Sequence, residues 1–508
     1  MKNPLNLFLL MISAILSVSI FISCSDKDEF TTSSSDTLTF ESDTVSFDTI
    51  FTTIGSSTKR FKVFNNNSKG IRISTVQLAS GGESGFRVNV DGHTGPTLND
   101  IEILKKDSIF IFAEVTLKSQ DSNTPTYVKD ELLFTLESGI TQKVILEAYG
   151  QDAIFLHSPV IDSDTTLSNE KPYIIYDSLI VNQGAVLTIP SGTTVCFHSG
   201  AYMGVYGQLI CNGSIDAPIT FRGDRTDRIL SYLPYDRTDG MWGGIILYPE
   251  SKNNLFDNVD IHSGSYGIYC PVSTSDEFKY YIQNSVIHNV SGDGLRSYYC
   301  QGQVLNSQIS NSGGNCVSLI GGAYNFVHTT LAQFYPWDGD HGTALYISNM
   351  ENDTIYPVEQ ANFYNCLVTG RSTDEIVGNR IEKDDAKFNV LFDHCLVNMK
   401  LNGSEGDDIK KMFETSLNET GDIRNWQKNE DGTYSDDIIW GKKNFKLIDD
   451  ENFIYNFELS EKSRSRGIGK GEYIKYCPID RNGVERPAES PDAGCYQYTA
   501  TPTDSLKQ

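Results

Sequence analysis

The sequence is short of basic residues. Its 41 Lys and Arg stand against 66 Asp and Glu, which gives a formal net charge of −25 and a pI near 4.7. Nucleic-acid binding needs a basic surface that neutralises phosphates, so the composition argues against a nucleic-acid partner. Paired cysteine motifs are also missing. The ten cysteines contain no CxxC, and apart from Cys24 they are scattered singly, which indicates neither a disulfide framework nor a cysteine zinc site.

The first residues of the chain form a targeting segment. Met1 and Lys2 precede an almost unbroken apolar run over residues 5–22, and Ser23-Cys24 is followed by a polar stretch. This pattern predicts a secretory signal peptide over residues 1–23 rather than part of the fold. A transmembrane anchor is the alternative, because about 18 apolar residues just span a bilayer. The small residue before Cys24 and the lack of a positive cluster after the run favour the signal peptide.

The residues around Cys24 indicate a lipid anchor. Phe21-Ile22-Ser23-Cys24 resembles a lipobox, which implies cleavage before Cys24 and diacylation of that cysteine. The acidic stretch over residues 25–29 resembles the export signal of Bacteroidetes lipoproteins, although a solvated linker is the plainer alternative. The resemblance implies an outer-membrane lipoprotein that faces the cell exterior and contacts the membrane through its anchor. Residues 24–36 are expected to be a lipidated, flexible tether.

Residues 37–153 alternate apolar and polar positions between clusters of turn residues. The strand-length runs include residues 39–41, 61–64, 71–73, 86–90 and 108–112. Seven to nine short strands in about 115 residues are typical of a β-sandwich. The stretch resembles the immunoglobulin-like domains near the N-terminus of many Bacteroidetes lipoproteins, and we expect it to act as a spacer. No exposed aromatic cluster in this stretch stands out from the sequence as a ligand site.

A six-residue repeat begins after residue 154. It has an apolar residue, then Asn or His two positions later, then an aliphatic residue three positions further on, as in Phe256-x-Asn258-x-x-Ile261. The Asn or His positions are Asn258, Asn284, Asn306, His328, Asn365 and His394. They are 26, 22, 22, 37 and 29 residues apart, and the shortest spacing equals about one coil of a parallel β-helix.

Local physics explains the repeat. The two apolar positions have opposite parity, so a straight strand could not bury both of them. A bend at the Asn restores the phase, and Asn tolerates the left-handed backbone conformation that such a bend needs. Stacked at about 4.8 Å, the Asn or His side chains are predicted to form a structural ladder. The residue after each of them is small, as expected for an inward position beside a tight bend.

Further motifs resemble known β-helix proteins. Pro190-Ser191-Gly192-Thr193 resembles their "PGT" turn, and Trp242-Gly243-Gly244-Ile245 resembles their "WGGI" strand. The segments over residues 480–487 and 491–496 resemble the closing "D-x-x-G-x-x-R-P … PDIGAYE" of many surface β-helix proteins. The resemblance implies a right-handed parallel β-helix of the pectin-lyase-like type over residues 154–500, with a C-terminal cap over the last coil. The predicted fold class is therefore all-β: an immunoglobulin-like β-sandwich followed by a right-handed parallel β-helix solenoid.

One insertion of the β-helix carries weak catalytic candidates. Asp338, Asp340 and His341 lie in the stretch Trp337-Asp-Gly-Asp-His-Gly. Two carboxylates and an imidazole are able to hold Ca²⁺ or to transfer protons. The stretch does not match the motifs of polygalacturonases, and Asp is common in Gly-rich turns because it bonds the local backbone. The turn interpretation is therefore favoured.

A second insertion is rich in charge. It lies between the Asn365 and His394 repeats and is expected to be a solvated loop; its charged residues are Arg371, Asp374, Arg380, Glu382, Lys383, Asp384 and Asp385. The two ladder histidines are interpreted as structural. Cys366 and Cys395 occupy equivalent inward positions and are expected to be buried free thiols rather than a disulfide.

Triplets of Asp, Ser or Thr, and an aliphatic residue resemble the O-glycosylation motif of Bacteroidetes secreted proteins. Thr37, Thr44 and Thr49 are the best candidates because they lie near the tether. About two or three such triplets are expected from composition alone, so chance is the alternative.

Together these patterns favour a non-enzymatic surface lipoprotein whose β-helix binds a polysaccharide or a surface protein partner. No cofactor is expected. The alternative is a polysaccharide lyase or glycoside hydrolase that acts along the β-helix face through the two insertions, and Ca²⁺ is expected only in that case.

Overall fold

The computed structural model describes residues 29–273, 276–383, 386–400, 407–419 and 440–500. The predicted signal peptide and Cys24 lie outside the described residues, as do Asp384 and Asp385. The chain divides into two compact units between Gln151 and Asp152, two residues before the boundary expected from the sequence. Among the described residues, no helix is both long and apolar enough to cross a bilayer.

The first unit is made of two β-sheets that share one apolar core. Within the described residues its six-stranded sheet contains Phe30–Thr31, Gly70–Leu78, Thr126–Leu136, Thr141–Gln151, Thr44–Phe51 and Thr97–Ile103. Its five-stranded sheet contains Thr39–Phe40, Lys59–Phe64, Ser108–Val115, Phe86–Val90 and His93–Thr94. The ordered unit begins earlier than predicted, because Phe30–Thr31, assigned to the tether from sequence, pairs in parallel with Gly70–Ile71.

The second unit is a right-handed parallel β-helix whose coils stack three sheets, here named S1, S2 and S3 in chain order. S1 contains Ile154–His157, Tyr173–Tyr176, Thr194–Phe197, Ile219–Gly223, Val259–His262, Val286–Val290, Gln308–Ser312, Thr330–Gln333, Leu367–Gly370, Leu396–Val397 and Leu417–Asn418. S2 contains Val160–Ile161, Ser178–Val181, Tyr202–Val205, Ile245–Leu247, Ile268–Cys270, Leu295–Tyr298, Val317–Ile320, Leu345–Ser348 and Ile376–Asn379. S3 contains Thr165–Thr166, Val186–Pro190, Gln208–Asn212, Asn254–Asp257, Phe278–Gln283, Gln301–Leu305, Gly322–Val327, Val358–Tyr364 and Phe388–Asp393.

Insertions between coils hold the remaining elements. Three short hairpins pair Arg228–Leu230 with Leu233–Pro234, Met350–Glu351 with Thr354–Ile355, and Phe445–Asp449 with Ile454–Leu459. The described helices are the short α-helices Asp407–Met412 and Trp440–Lys443 and the 3-10 helices Tyr235–Arg237 and Gly471–Tyr476.

The bend from S3 to S1 lies at the repeated Asn or His. All six ladder residues have a positive φ, between 45° and 54°. Asn306 Nδ2 donates to Asn284 Oδ1 at 2.8 Å, so these two amides stack in adjacent coils. Asn365 Nδ2 donates to His328 Nε2 at 3.0 Å, and burial lowers the pKa of His328, which therefore acts as a neutral acceptor. The left-handed bend and the stacked side chains account together for the residue types of the repeat.

Where the small residue after a bend is Ser or Cys, its side chain has a hydrogen-bonding role. Ser285 Oγ accepts the Val259 backbone N–H at 3.0 Å, and Ser307 Oγ accepts that of Ser285 at 3.1 Å. Cys395 Sγ accepts the Cys366 N–H at 3.2 Å in the same way. The bend takes these N–H groups out of the sheet ladder, so a side chain of the next coil satisfies them. The nine cysteines among the described residues are all buried free thiols.

The C-terminal tail differs from the cap expected over the last coil. It packs along the outer side of S1, where Tyr496 Oη donates to Gln308 Oε1 at 2.8 Å and the Gly494 N–H donates to the Asn365 carbonyl at 2.8 Å. The outer face of S1 is apolar there, at Leu367 and Leu396, and the tail and the last hairpin bury it. The last coil is instead followed by residues 407–419, where Phe413 stacks on Phe392 with ring centroids 4.6 Å apart.

Candidate functional site

The outer face of S2 carries a row of tyrosines. Strands of S2 alternate inward and outward, so the inward residues build the core and the outward ones form a surface. We call this surface the tyrosine face and define it as Tyr202, Tyr206, Tyr248, Tyr266, Tyr269, Tyr298, Tyr346 and Tyr356. Tyr266 is exposed and the others are half-buried. The row crosses coils that are separated by long stretches of sequence.

The ring contacts of the tyrosine face form two groups, one of Tyr206 and Tyr248 and one of Tyr266, Tyr269, Tyr298 and Tyr356. Tyr206 and Tyr248 stack with centroids 4.0 Å apart and planes inclined by 2°. Tyr269 lies 5.8 Å from Tyr266 and 6.2 Å from Tyr298. Burial and the neighbouring Tyr206 hydroxyl raise the pKa of Tyr248 to about 12, so it stays a neutral phenol. Such rings present flat apolar surfaces with hydroxyl groups at their edges.

A polar cavity of about 290 Å³ opens at one end of the tyrosine face. Its lining includes Arg296, Asn315, Ser318, Tyr346, Glu351 and Asn379. The guanidinium of Arg296 donates to Asp293 Oδ2 at 3.0 Å, to the Tyr298 hydroxyl at 3.0 Å and to Glu351 Oε1 at 3.2 Å. Two carboxylates therefore surround one cation, and the second oxygen of Glu351, Oε2, has no hydrogen-bond partner.

Electrostatics fix the protonation of this cluster. Burial raises the pKa of Tyr298 to about 12 against the opposing effect of Arg296. Burial lowers the pKa of Arg296, but the Tyr298 and Asp293 contacts outweigh it and the net shift is upward. The cavity thus combines a neutral phenol, a permanent cation and amide and hydroxyl groups. These groups are able to hydrogen-bond a polar, uncharged ligand.

A second cluster lies on the outer face of S1. His262 Nε2 donates to Asp236 Oδ1 at 2.8 Å, and its Nδ1 lies 2.8 Å from Asp260 Oδ1. Asp260 Oδ1 also lies 3.2 Å from His288 Nε2. Burial alone would lower the pKa of His262, but the two carboxylates raise it to about 9. Burial alone would raise the pKa of Asp260, but His262 and His288 outweigh it and hold that pKa well below its usual range.

The catalytic candidates in the first insertion contact their own loop. The Asp340 N–H donates to Asp338 Oδ1 at 2.9 Å, and His341 Nδ1 bonds the Gly342 carbonyl at 2.7 Å. This is the local backbone bonding typical of a turn. Among the described residues, the group of His, Cys, Asp and Glu close enough to share a metal ion is Asp260, His262 and His288, which does not include these three.

Two arginines of the second insertion pair with other parts of the β-helix. Arg371 pairs with Asp450 and donates to the Phe334 carbonyl at 3.1 Å. Arg380 pairs with Asp408 and lies 3.5 Å from Glu382. Within the described residues, no hydrogen bond or ion pair joins these side chains to Asp338, Asp340 or His341. The two insertions therefore do not combine into one acid–base set there.

The glycosylation candidates lie at the start of the first unit. Thr37 is exposed and precedes the strand Thr39–Phe40. Thr44 and Thr49 are half-buried in Thr44–Phe51, at the edge of the six-stranded sheet. The first unit also exposes two aromatic pairs that the sequence did not reveal, Tyr127 with Tyr149 and Phe110 with Phe112.

Sequence reasoning missed both the tyrosine face and the cluster on S1. A signal for the second was present in the repeat: His262 and His288 each lie four positions after their ladder Asn, at Asn258 and Asn284, so they share one register. The tyrosine face has a weaker signal, because its tyrosines do not occupy one repeated position: Tyr202 is the first residue of its S2 strand and Tyr298 is the last residue of another.

Comparisons with known proteins agree with the fold. The family profile described as "Right handed beta helix region" matches residues 166–333, a third of the chain and within the coils described above. No curated protein sequence matches the chain.

Two solved structures are similar to parts of the chain only weakly. A family 123 glycoside hydrolase from Clostridium perfringens shares 7% identity, with 24% of this chain and 30% of that chain covered and a TM-score of 0.17. PapD-like domain 7 of human CEP192 shares 8% identity, with 23% of this chain and 84% of that chain covered and a TM-score of 0.16. Scores this low carry no argument about fold or function.

Proposed function

We propose that this protein is a lipid-anchored surface protein whose β-helix binds a neutral glycan along the tyrosine face, without catalysis. The observation that carries the proposal is the row of tyrosines that leads to the Arg296 cavity. Carbohydrate sites commonly combine aromatic platforms with a few placed polar groups. The β-helix fold suits an extended ligand because equivalent surface positions repeat from coil to coil.

Charge decides the class of glycan. The protein carries a net charge of −25, and the single guanidinium of the cavity is already flanked by Asp293 and Glu351. A polyanionic chain would meet repulsion at long range and would find no free cation at this site. A neutral sugar instead stacks on the rings and forms hydrogen bonds through its hydroxyl groups with the amide and hydroxyl side chains of the cavity, Asn315, Ser318 and Asn379.

The location rests on sequence. The apolar run over residues 5–22, the lipobox-like residues before Cys24 and the acidic residues after it support an outer-membrane lipoprotein facing the exterior. Metabolic labelling with an alkyne fatty acid tests the anchor: the parent protein should be labelled and Cys24→Ala should not. Surface proteolysis of intact cells then tests the side of the membrane that the protein occupies.

A binding experiment tests the function. We expect the parent to bind at least one neutral polysaccharide on a glycan array, and Tyr266→Ala and Tyr346→Ala each to weaken binding about tenfold. This matches a loss of about 1.4 kcal/mol for one stacking ring. Tyr127→Ala removes an exposed tyrosine of the first unit and serves as the matched control, with binding unchanged.

Three results would contradict the proposal. If the parent binds no neutral glycan, or if Tyr127→Ala weakens binding as much as Tyr266→Ala, the tyrosine face is not the site. Release of unsaturated or reducing products from acidic polysaccharides, measured with and without Ca²⁺, would contradict the non-catalytic function and support the lyase or hydrolase alternative.

A further inference from the structure

The cluster on S1 brings two histidines and an aspartate of adjacent coils to one point. Val259–His262 and Val286–Val290 are neighbouring parallel strands, and their register places His262 beside His288. Asp260 points outward from the same strand as His262. The ligand atoms of these three side chains all lie within 4.8 Å of one another, and in the described parts of the chain no other such group occurs. The sheet itself therefore fixes the arrangement.

The separations suit a metal ion. Asp260 Oδ1 lies 2.8 Å from His262 Nδ1 and 3.2 Å from His288 Nε2. With metal–ligand bonds of about 2.1 Å, two neighbouring ligand atoms lie about 3.0 Å apart in octahedral and about 3.4 Å apart in tetrahedral coordination. The imidazole nitrogen and the carboxylate oxygen both carry lone pairs, so contact at 2.8 Å requires either a proton on the line between them or a cation close to both.

A second carboxylate orients His262 for this role. Asp236 Oδ1 accepts from His262 Nε2 at 2.8 Å and is itself held by Arg222 Nη1 at 2.8 Å. When His262 gives up its Nδ1 proton to bind a metal ion, this bond keeps the remaining proton on Nε2 and leaves the lone pair on Nδ1, which faces Asp260. The carboxylate–histidine–metal arrangement is the usual support of metal-ligating histidines, because it sets the tautomer and raises the basicity of the ligand.

The backbone around His262 is also held. Trp242 Nε1 donates to the His262 carbonyl at 2.8 Å, and Ser263, with φ of 63°, donates from Oγ to the Asp236 carbonyl at 3.1 Å. The His262 side chain is buried, whereas those of Asp260 and His288 are 31% and 26% exposed. An ion bound here would have rigid protein ligands on one side and solvent on the other, which leaves positions open for water or a ligand.

We propose that Asp260, His262 and His288 form a binding site for a divalent transition-metal ion, with Asp236 as the positioning residue for His262. Imidazole and carboxylate ligands in this ratio suit Zn²⁺ and neighbouring ions of the first transition row rather than Ca²⁺ or Mg²⁺. The nine described cysteines are buried, so thiolates do not offer a competing site in the folded protein.

Calorimetric titration with Zn²⁺ tests the site in the full chain, purified without a histidine tag and stripped with EDTA. We expect one ion per chain, affinity at least 100-fold weaker in Asp260→Asn and His288→Gln, and 10- to 100-fold weaker in Asp236→Asn. His198→Gln is the matched control. His198 Nδ1 lies 2.7 Å from Asp224 Oδ2 on the same face, but no third ligand joins this pair among the described residues, so affinity should equal that of the parent.

Co²⁺ provides a second measurement that does not depend on variants folding. The parent should show visible ligand-field bands at one equivalent of Co²⁺, without the thiolate charge-transfer band of a cysteine site. Absence of saturable Zn²⁺ binding by the parent, or parent-like affinity in both Asp260→Asn and His288→Gln, would overturn the site. Neither result depends on glycan binding, so the experiments test the metal site and the tyrosine face independently of each other.

Discussion

The side chain of the ladder residue Asn306 makes three hydrogen bonds, and its replacement tests how the β-helix is held together. Its Nδ2 donates to Asn284 Oδ1 at 2.8 Å and to the Ile479 carbonyl at 3.2 Å. Its Oδ1 accepts from Arg486 Nη2 at 2.8 Å. Arg486 is buried, and its Nε and Nη1 already lack partners. The amide thus connects two coils and the C-terminal tail.

A comparison with Asn258 separates the effect of the backbone from that of these contacts. Both residues have φ near 50°, so replacement by Ala costs each about 1–2 kcal/mol of left-handed strain. Asn258 Nδ2 bonds only its neighbour Asp257, at 2.8 Å. Asn306→Ala also loses two neutral hydrogen bonds of about 1 kcal/mol each and a charged one of about 1.5–3 kcal/mol. We therefore expect Asn306→Ala to lower the free energy of unfolding by about 2–4 kcal/mol more than Asn258→Ala.

Tryptophan fluorescence during urea denaturation measures this difference in the β-helix alone. The four tryptophans, at positions 242, 337, 426 and 440, all follow residue 152, so unfolding of the first unit does not contribute. Equal losses in the two variants would refute the reasoning, because they would mean that the amide contacts of Asn306 add nothing beyond backbone strain. An Asn306→Ala protein as stable as the parent would refute the strain argument as well.

Two further perturbations test single positions of the β-helix. Burial raises the pKa of Glu375 to about 8, although the hydrogen bonds that its carboxylate accepts from the Ser372 and Ala344 N–H groups act in the opposite direction. Because the same carboxyl group titrates near 4.3 in the unfolded chain, the free energy of unfolding should fall as the pH rises from about 4.5 to 8. Thermal melts across this pH range should show a flatter slope for Glu375→Gln than for the parent. A steeper slope in Glu375→Gln would contradict this. Gly244 has φ of 96°, and a Cβ at this position would lie 2.3 Å from the Tyr266 carbonyl oxygen. Gly244→Ala should therefore lower the urea midpoint of unfolding far more than the control Gly184→Ala, where φ is 85° and the surrounding space is open. Similar midpoints for the two variants would show that the close approach at Gly244 does not affect stability.

The coils of the β-helix could be predicted from sequence because their signal is local. An Asn or His with an apolar residue two positions before and an aliphatic residue three positions after specifies a left-handed bend between two inward positions. The structure has positive φ at all six such positions, from Asn258 to His394. The small residue that follows each bend added a second, independent constraint on the register.

The path of the C-terminal tail could not be predicted in this way. Its motif, ending at Tyr496, resembles the closing segment of other β-helix proteins and indicated a cap, but where it packs depends on the outer face of S1. That face turns apolar at Leu367 and Leu396, in strands distant in sequence from the tail. Only the alignment of neighbouring coils in S1 shows that these residues form one apolar surface, which another segment has to bury.

The candidate sites could not be predicted either, because they depend on which residues of different coils lie side by side. Asp236 lies in an insertion, 26 residues before His262, and nothing in the sequence between them indicates that the two touch. The weak candidates Asp338 and Asp340 attracted attention because they are close in sequence, yet that closeness is what allows Asp338 Oδ1 to accept the Asp340 backbone N–H. The spacing of residues in sequence does not predict which side chains of different coils are in contact unless the register of the coils is already known.

The packing of the tail against S1 also sets an order of assembly. Tyr496 meets Gln308 across 188 positions, and Cys495 meets Thr330 across 165. Coils are able to form one after another as the chain emerges, since each pairs with its sequence neighbour, but these contacts must wait until the final residues arrive. Until then the apolar strip at Leu367 and Leu396 faces solvent and is open to association with other chains. Packing of the tail is thus the last step of folding, and the chain is prone to association until that step is complete. A chain shortened by its last few dozen residues would keep the apolar strip exposed.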